Sequence, residues 1–187
     1  MSQLFPVHTV ETAPRAARRT MQAVEKRFGF LPGAVARLAG SPELLDGFLQ
    51  ANARFEASTL DPVSREVVIM TVATRNGCHL CVAMHTGALR ALGADERLVA
   101  ALRSGQPLAD PRLEALRAFV HEVLATSGDV PDDAVRALLE HGYTLRNALE
   151  VVLGIGAYTM STLANRLTGA PVDGPFARHL EPLTEAS

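Results

Sequence analysis

The chain has 187 residues, 48% of them hydrophobic and 20% charged, and its 18 basic and 20 acidic side chains leave a formal charge of -2. That length and apolar content suffice for one well-buried core and are short for two, so a single domain over residues 1–187 is expected. The near balance of charge leaves no basic face for nucleic acid or an anionic membrane, and no apolar run approaches the roughly 18 residues that span a bilayer. The opening Met1-Ser2-Gln3-Leu4-Phe5-Pro6-Val7-His8 has neither the basic start nor the apolar stretch of an export signal, so a soluble, cytoplasmic protein is expected.

From the N-terminus onward the punctuation is that of helices. Pro14 begins a run that reaches Phe28 and stops at Gly29, with a proline in the first turn and a glycine just past the end. A shorter helical turn is expected at 33–38. Three later starts share one grammar, a capping side chain followed directly by proline: Ser41-Pro42 opens 42–57, Asp61-Pro62 opens 62–75 and Asp110-Pro111 opens 111–126. Between and after them, 79–92 ends at Gly93, 95–103 at Gly105, 131–140 before Gly142 and 144–167 near Gly169.

Periodicity agrees, since Leu113, Leu116, Phe119, Val120, Val123 and Leu124 recur at three- and four-residue spacings along one stripe. The run 67–73 is continuously apolar and β-branched, so alone it suits a buried strand as well as a buried helix; the cap-proline start at Asp61-Pro62 decides for helix. Segment 151–158 carries Gly154 and Gly156, which weaken a helix but admit a close neighbour, and a packed helix contact between subunits is a natural use for them. From Ala170 the chain is rich in turn formers, and the tail 170–187 is expected to run extended over the surface. The reading is an all-α, single-domain bundle of about eight helices, its motif-bearing core over 41–167.

Cys78 and Cys81 are the two cysteines of the sequence, in the run Asn76-Gly77-Cys78-His79-Leu80-Cys81-Val82-Ala83-Met84-His85 at the start of helix 79–92. Two thiols so spaced can close a disulfide or share a metal, and a helix N-terminus favours the thiolate. In a reducing cytosol such a pair points to redox or metal chemistry rather than to a staple. His85 follows Cys81 by four residues and so shares its helical face. Glu66 precedes Cys78 by twelve, on a helix that must turn back at Asn76-Gly77, so its carboxylate can reach the His85 imidazole. Carboxylate, imidazole and thiol in series make an activated nucleophile. The same four side chains can also serve as a zinc set, although no second Cys or His knuckle accompanies them and a core of this size needs no metal to fold. Covalent c-type haem is excluded by Val82, which stands where its histidine would be.

Glu66, Cys78, Cys81 and His85 at these spacings, together with the helix ending Leu163-Ala164-Asn165-Arg166-Leu167, resemble the carboxymuconolactone decarboxylase and alkylhydroperoxidase D superfamily of all-α proteins over roughly 41–167. The resemblance implies an AhpD-like bundle and a thiol peroxidase acting on hydrogen peroxide or organic hydroperoxides, with no metal and no organic cofactor. It implies that Cys81 attacks the peroxide and becomes a sulfenic acid, that Cys78 resolves it as a disulfide, that His85 moves the proton and that Glu66 orients His85. It further implies a thioredoxin-like or lipoyl-protein reductant and a homo-oligomer, trimer or hexamer, with the helix around Gly154 at a contact. Well-known alkylhydroperoxidases of this kind place a histidine directly before the second cysteine; here that residue is Leu80, and His79, one place earlier, is a weaker candidate for touching substrate. The substitution implies a simpler proton relay. The alternatives are a lyase of the lactone decarboxylase type, which does not depend on a cysteine pair, and a zinc-binding or non-catalytic oligomeric scaffold. Tyr158, Asn165 and Arg166 read as packing and capping groups, and His8, His121, His141 and His179 as surface residues.

Overall fold

The computed structural model describes residues 4–180 and, among them, contains ten helices and no strand. In order these are α1 (Arg15–Phe28), α2 (Gly33–Leu38), α3 (Pro42–Glu56), α4 (Pro62–Arg75), α5 (His79–Ala91), α6 (Glu96–Ser104), α7 (Pro111–Ala125), α8 (Asp132–Glu140), α9 (Leu145–Thr168) and α10 (Gly174–Ala177). Eight of them exceed six residues, in line with the expected bundle.

The cap-proline starts work as the sequence suggests. Ser41 accepts from the Leu44 N–H, Asp61 from that of Ser64 and Asp110 from those of Arg112 and Leu113, each with proline at the head of the helix. Thr144 and Asn147 form a reciprocal capping box that starts α9. Pro14 sits at the cap position of α1 rather than inside its first turn.

Helix α4 is the axis of the molecule. Every residue from Val67 to Ala73 is buried, and α5, α6, α7 and α9 pack around it. A helix enclosed on all sides needs no polar stripe, which is why this run carries no helical periodicity. Its neighbours complete a core that includes Phe55, Leu89, Leu102, Leu116 and Leu138.

Helix α9 lies against α3 and α4. Gly154 is used here, inside the chain: a Cβ on it would stand 2.6 Å from the Phe55 ring and 3.0 Å from Val68. The packed helix contact expected at Gly154 is made within the chain, with α3 and α4. The other end of α9 is tied down by polar bonds, with Glu150 accepting from the Thr59 N–H and hydroxyl and from Asn147.

The tail also differs from expectation. Instead of running extended from Ala170, it folds back: Ala170, Val172 and Phe176 pack on the layer formed by Ala73, Cys78, Leu80 and Cys81, and 174–177 form α10. The Asp173 carboxylate accepts from the Gly33 N–H, which staples the segment to α2. Burial of Val172 and Phe176 outweighs the turn-forming tendency of the prolines and glycines around them. Residues 181–187 of the expected tail lie outside the described residues.

Candidate active site

The α4–α5 turn sets the position of the two sulfurs. Gly77 takes a left-handed φ of +63°, which lets the Gly77 N–H reach the Thr74 carbonyl and the Cys78 N–H reach that of Ala73. Helix α9 clamps the turn from the side. The Arg166 guanidinium donates to the Asn76 carbonyl, and Asn76 in turn donates to Thr162 Oγ1 at 2.9 Å. A Cβ on Gly77 would meet the movable end of Arg166, so it is the left-handed backbone angle that favours glycine there.

Cys78 then takes the role usually given to serine or aspartate, capping α5: its sulfur accepts from the Cys81 N–H at 3.4 Å. Both cysteines are free thiols, 2% and 4% exposed. The two sulfurs lie 2.9 Å apart and share a hydrogen bond. That bond, helped by the Cys81 and Leu80 N–H groups and by Asn165, lowers the Cys78 thiol to about 7 against the opposing effect of burial. The same bond, with burial and the Cys78 charge, pushes Cys81 up. The two ionise as a unit that holds one proton between the sulfurs.

Access differs between the two sulfurs. A cavity of about 190 Å³ opens beside the pair, and Cys81, not Cys78, lies in its wall. Most of that wall is apolar, including Phe28, Leu45, Phe48, Leu49, Leu80 and Met84. Its polar groups include His85, Tyr158, Ser161 and Asn165, with Arg27, Asn52, Glu56 and Asp173 also in the wall. Leu80, which stands where well-known alkylhydroperoxidases carry histidine, is 3% exposed and forms part of the apolar wall.

The expected carboxylate–imidazole pair is formed. Glu66 Oε2 lies 2.8 Å from His85 Nδ1, both side chains are largely buried, and the edge of the His85 ring meets Tyr158 with centroids 5.1 Å apart. The carboxylate fixes the proton on Nδ1, leaving Nε2 as the exchanging nitrogen. His85 shares the cavity with Cys81 without a direct hydrogen bond to either sulfur. Among the described residues no three Cys, His, Asp or Glu side chains gather as a metal set, so the thiol pair and the Glu66–His85 pair are two adjacent units. His79 is exposed and stands outside the cavity wall.

Helix α9 contributes groups that pattern reading assigned to packing. Asn165 Nδ2 lies 3.5 Å from Cys81 Sγ and 3.3 Å from Ser161 Oγ, and Ser161 Oγ is 4.0 Å from the same sulfur. Tyr158 donates to Asn52 Oδ1 at 2.7 Å, and burial, then the charges of Glu66, Glu56 and Cys81, pushes its phenol up so that it stays neutral. No local signal in the sequence singles them out, since Asn147, Glu150, Thr162 and Thr168 lie on the same helix. Arg166 does act as a cap, on the turn that carries the cysteines.

Comparison with known proteins bears on the fold. The model of the carboxymuconolactone decarboxylase family matches residues 41–122, a stretch that holds Glu66, Cys78, Cys81 and His85. A Bacillus subtilis protein, YdfG, is 26% identical over 116 residues, covering 60% of this chain and 78% of its own. The AhpD-core crystal structure of a peroxidase-related protein from Ralstonia eutropha superposes with a TM-score of 0.82 at 22% identity, over 96% of this chain and 97% of that one. The debrominase Bmp8, in a crystal structure with 2,3,4-tribromopyrrole, superposes at 0.74 with 16% identity, over 96% and 97%.

Proposed function

We propose that this chain, a member of the carboxymuconolactone decarboxylase and AhpD superfamily, is a thiol-dependent peroxidase that reduces organic hydroperoxides or hydrogen peroxide through a Cys78–Cys81 dithiol and disulfide cycle. The fold alone does not choose the reaction, since a debrominase shares it. The observation that carries the reading is the short bond between the sulfurs, 2.9 Å long, beside a cavity whose wall includes Cys81 and not Cys78.

That arrangement supplies each proton the chemistry needs. As the Cys81 sulfur attacks the terminal peroxide oxygen, its proton passes across 2.9 Å to the Cys78 thiolate. The S–O bond forms, the O–O bond breaks, and the alkoxide that leaves takes a proton from water, relayed through Nε2 of His85, which Glu66 holds in place. Cys78 then attacks the sulfenic acid of Cys81, expelling water and closing the disulfide. One hydroperoxide and one dithiol become one alcohol, one water and one disulfide.

Burial of both sulfurs bears on the reductant. A dithiol slender enough to enter the cavity, such as a lipoyl arm, reaches Cys81 where a thioredoxin-like surface cannot. A homo-oligomer is part of the same proposal. Along α9 the exposed Leu145, Leu149, Val152, Leu153, Met160, Leu163 and Leu167 form one stripe about 100° wide and about 33 Å long, which a second copy would cover.

In the test, one equivalent of cumene hydroperoxide is added to the reduced protein. Both thiols should vanish together into a single intramolecular disulfide, with one cumyl alcohol released. Thiols that survive the peroxide would contradict the reading.

A further inference from the structure

Hydrogen bonding holds His85 at one corner. Glu66 accepts from Nδ1 at 2.8 Å, and among the described residues no group bonds Nε2, the nitrogen that exchanges protons. A planar ring pinned at one corner still tilts about that bond, whereas proton transfer needs the other corner placed to within about 0.5 Å. Tyr158 supplies the second constraint. Its ring meets the imidazole at 80° with centroids 5.1 Å apart, the edge-to-face arrangement that the quadrupoles of two rings favour. The tyrosine is itself fixed from α3. Phe48 and Phe55 meet its ring at 83° and 72°, with centroids 6.0 and 6.3 Å away, and its hydroxyl donates to Asn52 Oδ1 at 2.7 Å. Asn52 is kept from turning over, because its Nδ2 donates to Glu56 at 2.9 Å. Packing alone would be served by phenylalanine; a phenol 4% exposed and bonded across to another helix also fixes how far the ring reaches toward His85.

We infer that Tyr158 is a positioning residue for the proton-transfer step, setting the tilt of the His85 imidazole from α9 while Glu66 sets its tautomer from α4. The inference rests on the peroxidase reading, in which Nε2 relays a proton from water to the departing alkoxide, and it names what aims that relay. Four helices then fix one imidazole: α5 carries it, α4 and α9 hold it, and α3 anchors the tyrosine. The relay matters only where the leaving oxygen is basic. Cumene hydroperoxide releases an alkoxide, which needs the proton as the O–O bond breaks. Perbenzoic acid, also built on one aromatic ring, releases benzoate, which is stable without it. With either oxidant the S–O bond forms as the O–O bond breaks and Cys81 becomes the sulfenic acid, so the two differ chiefly in their demand on His85.

The test follows single-turnover disulfide formation in the intact chain with both oxidants. Tyr158→Leu should lower the limiting rate with cumene hydroperoxide at least about tenfold further than the rate with perbenzoic acid. Equal losses would mean that the ring only shapes the cavity or the sulfur, and would overturn the inference, as would no loss at all. Tyr158→Phe keeps the ring against Phe48 and Phe55 and removes the bond to Asn52, so it should fold as the unaltered chain does and show the same preference at about threefold. A Phe variant without that preference overturns the inference even where the Leu variant does not fold. Glu66→Gln is the reference, because it disturbs the same imidazole from the other side. Selectivity in Glu66→Gln and none in the Tyr158 variants overturns the inference and leaves the peroxidase reading intact; thiols of the unaltered protein that survive both oxidants refute that reading, and the inference with it.

Discussion

The two faces of α9 invert the usual arrangement of a helix. Its inner face carries Asn147, Glu150, Tyr158, Ser161, Thr162, Asn165 and Thr168, all buried, whereas its outer face carries Leu145, Leu149, Val152, Leu163 and Leu167, all exposed. In an ordinary surface helix the leucines would point inward and the polar groups outward. Each inner polar group costs desolvation and must be matched by a bond or a function; each outer leucine costs hydration and must be matched by a partner. Nearly all inner groups are accounted for by bonds to Thr59, Asn52, Asn76, Cys81 or their own helix. The contrast supports the proposal that the inner face serves chemistry and the outer face assembly.

Several changes would break or sharpen that contrast. The largest effect belongs to the sulfur that the inner face serves: Cys81→Ser should lower hydroperoxide turnover by at least about 1000-fold, measured as alcohol formed per enzyme. Glu66→Gln leaves His85 unanchored and should cost about 100-fold in kcat, with thiol titration by a small disulfide reagent little altered. On the outer face, the double change Leu149→Glu with Leu163→Glu should convert the assembly to monomers in sedimentation while leaving single-turnover disulfide formation within about threefold. An unchanged sedimentation coefficient would remove α9 from the interface. Within the inner face, Gly154→Ala drives a methyl into the Phe55 ring and should destabilise the fold by about 1–3 kcal/mol, lowering Tm by about 2–4 °C per kcal/mol in calorimetry.

The pH profile is a subtler probe. Because Cys78 is lowered to about 7, the singly ionised pair accumulates as pH rises through that value. Single-turnover disulfide formation should therefore climb about tenfold per pH unit well below 7 and level off above it. A rate still climbing at pH 9 would mean that the pair behaves as ordinary thiols.

Much of this was legible in the sequence, and the exceptions have physical causes. The capped prolines at Pro42, Pro62 and Pro111 announced their helices because a cap and a missing N–H are local chemistry. Glu66 and His85 were readable as partners because the two helices that carry them are joined by a tight turn. Ser161 and Asn165 were not, since their role depends on α9 crossing eighty residues later in the chain, and nothing local distinguishes a buried asparagine from a solvated one. The folding of the tail was hidden for the same reason: Phe176 finds Phe28 and Phe30, and Asp173 finds Gly33, only through long-range contact. Gly154 announced a close approach but not which helix approaches.

The central claim is that Cys81 is the sulfur that meets the peroxide. In a Cys78→Ser protein the sulfenic acid has no resolving thiol, so treatment with cumene hydroperoxide in the presence of dimedone should place the label on Cys81, as located by peptide mass spectrometry. An unlabelled Cys81, with its thiol intact after the peroxide has been added, would contradict the account.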